Sequence, residues 1–273
     1  MTSESGPNRR PSLPSVTPSY PRREMSCDPE EAESVLVSLD RRFVYVHICK
    51  TAGSSLTAML APYVSPEMRS DNPRLDGIGW QGTWHYDSGQ HSRLEPQLTH
   101  LIESGHVDGD VRVLSVVRNP YTWQHSIWSR FYAQGTGGYG TVFAARYPSC
   151  SFEDYLRHQL SLEGREQLDF WGALSQSRFL RTDHPVNYVL GRFESLDESI
   201  PRMLAAVGIE MGDVPHKNLQ QHRIPVASAF TDEAVRLVHE LAGEDFDLFG
   251  YARVGSAEEL LALSHQPPSH SRS

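Results

Sequence analysis

Two short segments hold the residues best suited to anion chemistry. Residues 47–55 read HICKTAGSS, and residues 115–126 read SVVRNPYTWQHS. In the first, a lysine sits among small and hydroxyl residues that lead into a helix start at Ser54 and Ser55. Unpaired N–H groups and the helix dipole at such a start point toward a ligand and favour negative charge. Thr51, Ser54 and Ser55 add hydroxyl donors, and Lys50 adds a mobile cation. The spacing is not that of the phosphate loop GxxxxGK[ST], because Lys50 precedes Gly53 instead of following the glycines. An ordinary serine-capped helix fits the same residues. In the second segment Arg118 stands just before Asn119 and Pro120. Ser126 lies seven residues past Asn119, about two helical turns on, and so on nearly the same side. An arginine fork beside a hydroxyl suits a second phosphate. The plainer alternative is an Arg118 ion pair with a neighbouring acid and a surface serine at 126.

The elements around these segments are strands feeding helices. Residues 43–48 form a β-rich apolar run, read as a buried strand; the polar loop 49–53 follows, and then a helix with Leu56, Met59 and Leu60 that Pro62 stops. A second strand at 111–117 ends in Arg118. Asn119 then caps a helix with Pro120 at its first position, Trp123, Ile127 and Phe131 on one face, and Gly135 as terminator. A third strand at 186–190 precedes a helix over 195–207, and Thr231 caps a helix through Val235, Val238 and Leu241. Strands alternating with helices predict an α/β fold with a parallel sheet and ligands at the strands' carboxyl ends. Both anion-suited segments fall at such ends.

Composition bounds the rest. The 273 residues suffice for one sizeable domain, with 38% hydrophobic and 22% charged residues. Residues 1–37 are expected to be a disordered Pro-, Ser- and Arg-rich extension, 38–253 the folded domain, and 254–273 a flexible tail with a short helix near 257–263. A net charge of -9 argues against a nucleic-acid partner. No run reaches the ~20 apolar residues of a membrane span, and no secretory signal is evident. Three scattered cysteines (Cys27, Cys49 and Cys150) suit a reducing compartment, so a cytoplasmic location is expected. Of 25 basic residues only Lys50 and Lys217 are lysines, leaving 23 arginines. An ammonium and a guanidinium differ in geometry and hydration, so both exceptions raise a chemical question.

With these residues in view, the chain resembles the sulfotransferases that use 3′-phosphoadenosine-5′-phosphosulfate (PAPS), of the carbohydrate-sulfotransferase-like, family 2 type. HICKTAGSSL resembles their HxPKTGGTS loop, and VVRNPYTWQHS their VRNPxxRxxS element, with Arg118 and Ser126 eight apart. GRFESL at 191–196 resembles GRFENL. PHKNL at 215–219 and DFDLFGY at 245–251 resemble the C-terminal HKN and DFxLFGY elements. The resemblance implies a three-layer, P-loop-like α/β fold with a central parallel sheet flanked by helices, PAPS as co-substrate, and no metal. It implies that Lys50 stabilises charge on the departing phosphate, and that Thr51, Ala52, Gly53, Ser54 and Ser55 hold the 5′-phosphosulfate. Arg118 and Ser126 would bind the 3′-phosphate, and Lys217 and Asn218 would close over the nucleotide. Such catalysis is mostly positioning and electrostatic stabilisation.

Four positions depart from the pattern. Cys49 replaces a proline, Ala52 a glycine, Ser54 a threonine and Trp123 an arginine. Ala52 is costly if its φ must be positive. A nucleophilic Cys49 of the phosphatase type would require an arginine six residues on, where Ser55 stands, so loop packing is the expected role of Cys49. On the acceptor side, a general base is sought among His85, Asp87, His91, Glu95, His100 and His106. His91, 27 residues before Arg118, sits where relatives place a histidine, and His85 is second. The aromatic stretches 80–86 and 134–147 read as acceptor loops for a carbohydrate or small molecule. The rival readings are a P-loop-type phosphotransferase, whose Walker lysine and Mg²⁺ ligands are not evident, and a catalytically inactive nucleotide-binding relative.

Overall fold

The computed structural model describes residues 35–68, 93–108, 110–133, 150–161, 175–210 and 225–264. They form a mixed α/β fold, with a four-stranded sheet in the order β1-β2-β3-β4 flanked by helices. The strands are β1 (Leu36–Ser38), β2 (Phe43–Tyr45), β3 (Arg112–Val117) and β4 (Asn187–Arg192). The helices are α1 (Gly53–Leu60), α2 (Leu94–Glu103), α3 (Pro120–Phe131), α4 (Phe152–Ser161), α5 (Ser177–Leu180), α6 (Leu196–Ala206), α7 (Val226–Ala229), α8 (Asp232–Phe249) and α9 (Ala257–Ser264).

The expected all-parallel sheet needs correction. β2, β3 and β4 are parallel, but β1 runs antiparallel to β2, pairing Leu36 with Tyr45 and Ser38 with Phe43. The chain returns through residues 39–42, with the Arg42 N–H donating to the Leu39 carbonyl (3.2 Å) and Arg42 at φ 52. Such a short loop can join only antiparallel neighbours; the parallel pairs are joined through helices. β1 and α9 lie at the two ends of the described residues, with Leu36 fully buried and Leu260 of α9 5% exposed; α9 falls where the short helix near 257–263 was expected.

Local signals formed much as the chain suggests. Asn119 accepts the Tyr121 N–H (3.0 Å) with Pro120 at the first helical position, and Thr231 accepts the Ala234 N–H (3.1 Å). α1 ends at Leu60, and Pro62 lies in the single 3-10 turn that follows, Ala61–Tyr63. α3 ends at Phe131, while Gly135 lies outside the described residues. α8 breaks at Ala242 (φ -125, ψ 28), and its last turns carry Asp245 and Phe246 into the core before Gly250 closes it in the left-handed region. Phe43, Val44, Val113, Leu114, Trp123, Leu204 and Val238 are all fully or almost fully buried. Each aliphatic side chain so buried contributes ~1.5–3 kcal/mol before entropy is counted. Among the described residues no helix is long and apolar enough to cross a membrane.

Candidate functional site

Because β2, β3 and β4 are parallel neighbours, their carboxyl ends lie side by side. Beyond Tyr45 the chain stays with the sheet: the Val46 N–H donates to the Leu114 carbonyl (2.9 Å), and Ser115 Oγ donates to the Val46 carbonyl (2.8 Å). The loop 49–52 then turns into α1. φ is positive at Lys50 (63) and Ala52 (64) but not at Thr51 between them. Left-handed residues alternating with right-handed ones are the backbone pattern in which successive N–H groups can converge on an anion. The N-cap residue of α1, Ala52, makes no side-chain capping bond, and no acid occupies the first turn. The Ala52 question has its answer: the position does take a left-handed conformation, with ψ 18.

Gly53 is needed for a different reason. A Cβ there would lie 1.9 Å from Cδ2 of His47, whose ring is buried against the loop and stacks on Tyr45 with centroids 6.2 Å apart. Tyr45 donates its hydroxyl to the Gly53 carbonyl (3.3 Å). The Thr51 hydroxyl is fully buried and donates to the Ile48 carbonyl (2.8 Å), so it shapes the loop and leaves its main chain for any ligand. Ser55 is buried at the start of α1, Lys50 is half-buried, and the Ser54 side chain lies outside the described set.

The second turn meets the first directly. Arg118 Nη1 donates to the Lys50 carbonyl (3.1 Å), Nε donates to Thr122 Oγ1 (3.0 Å), and the guanidinium lies over the Phe193 ring at 4.2 Å. Thr122 and Ser126, four apart and both half-buried, continue this face along α3. Trp123, where the resembled pattern has arginine, donates Nε1–H to the Cys49 carbonyl (2.7 Å) and so ties α3 to the lysine loop. Cys49 itself is 1% exposed. Burial pushes its thiol up to about 12, against the smaller opposing pull of Lys50, so at neutral pH it is a packed thiol and no nucleophile.

Three segments far apart in sequence support the Arg118 turn. Gln176 pairs with the Arg118 main chain in both directions, and Asp245 holds Gln176. Glu194 accepts the Asn119 N–H (2.7 Å) and the Tyr251 hydroxyl (2.8 Å). Tyr251 in turn lies under the Arg192 guanidinium at 4.5 Å. Burial, and then the Glu194 charge, push the Tyr251 phenol well above its ordinary value. Burial likewise raises the Asp245 carboxyl, against the hydrogen bonds from Gln176 and Ser177. The GRFESL and DFDLFGY segments therefore converge on the turn after β3.

Lys50, Thr51, Ala52, Gly53, Ser55, Arg118 and Ser126 thus fall on two touching turns at one end of the sheet and on the helices α1 and α3 that leave them. His85, His91, Lys217 and Asn218 lie outside the described residues, as do the stretches 80–86 and 134–147. Of the other acceptor-side candidates, Glu95 on α2 accepts the Asp183 N–H (3.1 Å), and His100 lies in the last turn of the same helix. His106 sits at the amino ends of the strands, lining a cavity of about 340 Å³ with Arg42 and Asp110, away from the site. Sequence reasoning missed Thr122, Gln176 and Glu194; for Glu194 the GRFESL segment was the available signal. Among the described residues no group of three or more His, Cys, Asp or Glu is arranged to hold a metal. No protein-family model matches the chain, and no curated protein or solved structure matches it either.

Proposed function

We propose that this chain is a sulfotransferase moving a sulfuryl group from PAPS to an acceptor hydroxyl or amine, with a P-loop-like sulfotransferase fold and a cytoplasmic setting. The observation that carries the reading is the hydrogen bond from Arg118 to the Lys50 carbonyl, which brings the two anion-suited turns into contact at the ends of adjacent parallel strands. One donor with a phosphate at each of two positions can then span them. The N–H groups of residues 51–54 would receive the 5′-phosphosulfate, at a helix start whose N-cap, Ala52, makes no side-chain bond and whose first turn holds no acid. The Arg118 and Ser126 face would receive the 3′-phosphate.

In the reaction the acceptor oxygen or nitrogen attacks sulfur, and the bond from sulfur to the 5′-phosphate oxygen breaks. The electron pair leaves on that phosphate, where the Lys50 ammonium offsets the growing charge. The acceptor's proton passes to a base, for which His91 and then His85 are the candidates. A carbohydrate or small-molecule acceptor suits this chemistry.

The test is twofold. Adenosine 3′,5′-bisphosphate should raise the melting temperature while Mg-ATP leaves it unchanged, because only the former offers a phosphate to each turn. Lys50→Ala should still bind the bisphosphate yet lose sulfate transfer from PAPS to a panel of acceptors. Stabilisation by Mg-ATP alone would replace this reading with a phosphotransferase. Bisphosphate binding without transfer by the parent chain would leave an inactive nucleotide-binding relative.

A further inference from the structure

We propose that Gln176 and Asp245 are positioning residues for Arg118: the Gln176 carboxamide fixes the main chain just past β3, and Asp245 fixes Gln176. This rests on the reading of Arg118 as the ligand of a nucleotide 3′-phosphate.

The ladder between β3 and β4 ends where Val117 pairs with Arg192. One residue on, a side chain 58 positions away continues the pairing. The Arg118 N–H donates to Gln176 Oε1 (2.8 Å), and Gln176 Nε2 donates to the Arg118 carbonyl (2.7 Å). Both ends of the amide are committed, so a rotated carboxamide would set donor against donor and acceptor against acceptor. Gln176 is fully buried and has no water to turn to.

Asp245 is fully buried too. Its Oδ2 accepts the Gln176 N–H (2.7 Å), and its Oδ1 accepts the Ser177 N–H (2.8 Å). Both donors lie at the start of α5, which has no capping side chain of its own. A buried carboxylate is costly unless its lone pairs are met, and here main-chain donors meet them. The order of support runs from α8 through the start of α5 to the turn that carries the guanidinium, and from there to the Lys50 carbonyl. A displaced guanidinium that loses one hydrogen bond to a charged phosphate loses roughly 10–100-fold in affinity.

The experiment measures, by titration calorimetry, affinity for adenosine 3′,5′-bisphosphate and for adenosine 5′-monophosphate, which lacks the 3′-phosphate. Gln176→Leu should reduce the preference for the bisphosphate by about tenfold or more, with monophosphate affinity held within about twofold. Asp245→Asn, which turns an acceptor toward main-chain donors into a donor, should act in the same sense. If Gln176→Leu does not fold, Gln176→Met carries the same test, since it keeps the length of the side chain, adds no charge beside Asp245 and removes both amide bonds to Arg118. An unchanged preference, or both affinities falling together as for a merely structural residue, overturns the inference while the functional reading stands. A parent chain with no preference for the bisphosphate overturns both.

Discussion

Ala52 and Gly53 are neighbours, and exchanging their side chains should move stability in opposite directions. Ala52 has φ 64 and ψ 18, a conformation that costs a residue with a Cβ ~1–2 kcal/mol. Ala52→Gly removes that strain but adds about 0.4–1 kcal/mol of freedom to the unfolded chain. The position is half-buried, so loss of the methyl forfeits only a few tenths more, about 0.3 kcal/mol. The net gain centres on about 0.5 kcal/mol and reaches at most about 1.3, so the central value is a rise of roughly 1–2 °C in melting temperature for a chain of this size. At Gly53 φ is not positive, so a methyl would by itself gain about 0.4–1 kcal/mol through the unfolded chain, but the new Cβ would stand 1.9 Å from the His47 ring. Either the buried ring or α1 must move, an overpacking cost of ~1–3 kcal/mol. Differential scanning calorimetry, with urea unfolding to check that the denaturant slope is unchanged, reads both. A melting temperature lowered by more than about 1 °C for Ala52→Gly, or raised for Gly53→Ala, would refute the geometry assigned to this loop.

Other outcomes follow from neighbouring residues. Trp123→Phe keeps a ring in the core but strands the buried Cys49 carbonyl, and should cost ~1–3 kcal/mol in urea unfolding; a neutral variant would show that the indole bond holds nothing. His125 is 5% exposed, its Nε2 has no partner among the described residues, and burial, with Arg118 second, depresses it to about 4. The unfolded chain therefore takes up the proton first: stability is intact above about pH 6.5 and falls by ~3 kcal/mol on the way to pH 4. His125→Gln should flatten that slope, and a parent equally stable at pH 4.5 and 7 would contradict it. Iodoacetamide at pH 8 should leave Cys49 unmodified in the native protein and label it once urea unfolds the chain, as peptide mass spectrometry would show.

What the sequence disclosed was local or nearly so. Asn119, Pro120 and Thr231 act on main-chain groups within three residues of themselves, so their caps were readable without the fold. The strand runs at 43–48 and 111–117 were readable because burial on both faces leaves continuous apolar stretches. β1 was not, since three residues show no period and their strand character exists only through pairing with β2. Gln176 carries no signal of any kind: a glutamine ahead of a four-residue helix becomes important only when the fold sets it against Arg118. Trp123 was read as a core residue and is one, but its indole N–H also reaches across to the lysine loop, which no helical spacing could reveal. The left-handed Ala52 could be posed only as a question, because alanine does not announce its φ.

The hydrogen bonds that shape residues 117–119 end largely on main-chain atoms: Gln176 on the Arg118 N–H and carbonyl, Glu194 on the Asn119 N–H. Main-chain atoms are the same whatever residue occupies the position. The side chain at 118 can therefore vary without dismantling the platform it stands on, so selection for a different ligand charge and selection for folding act on separate atoms of one residue.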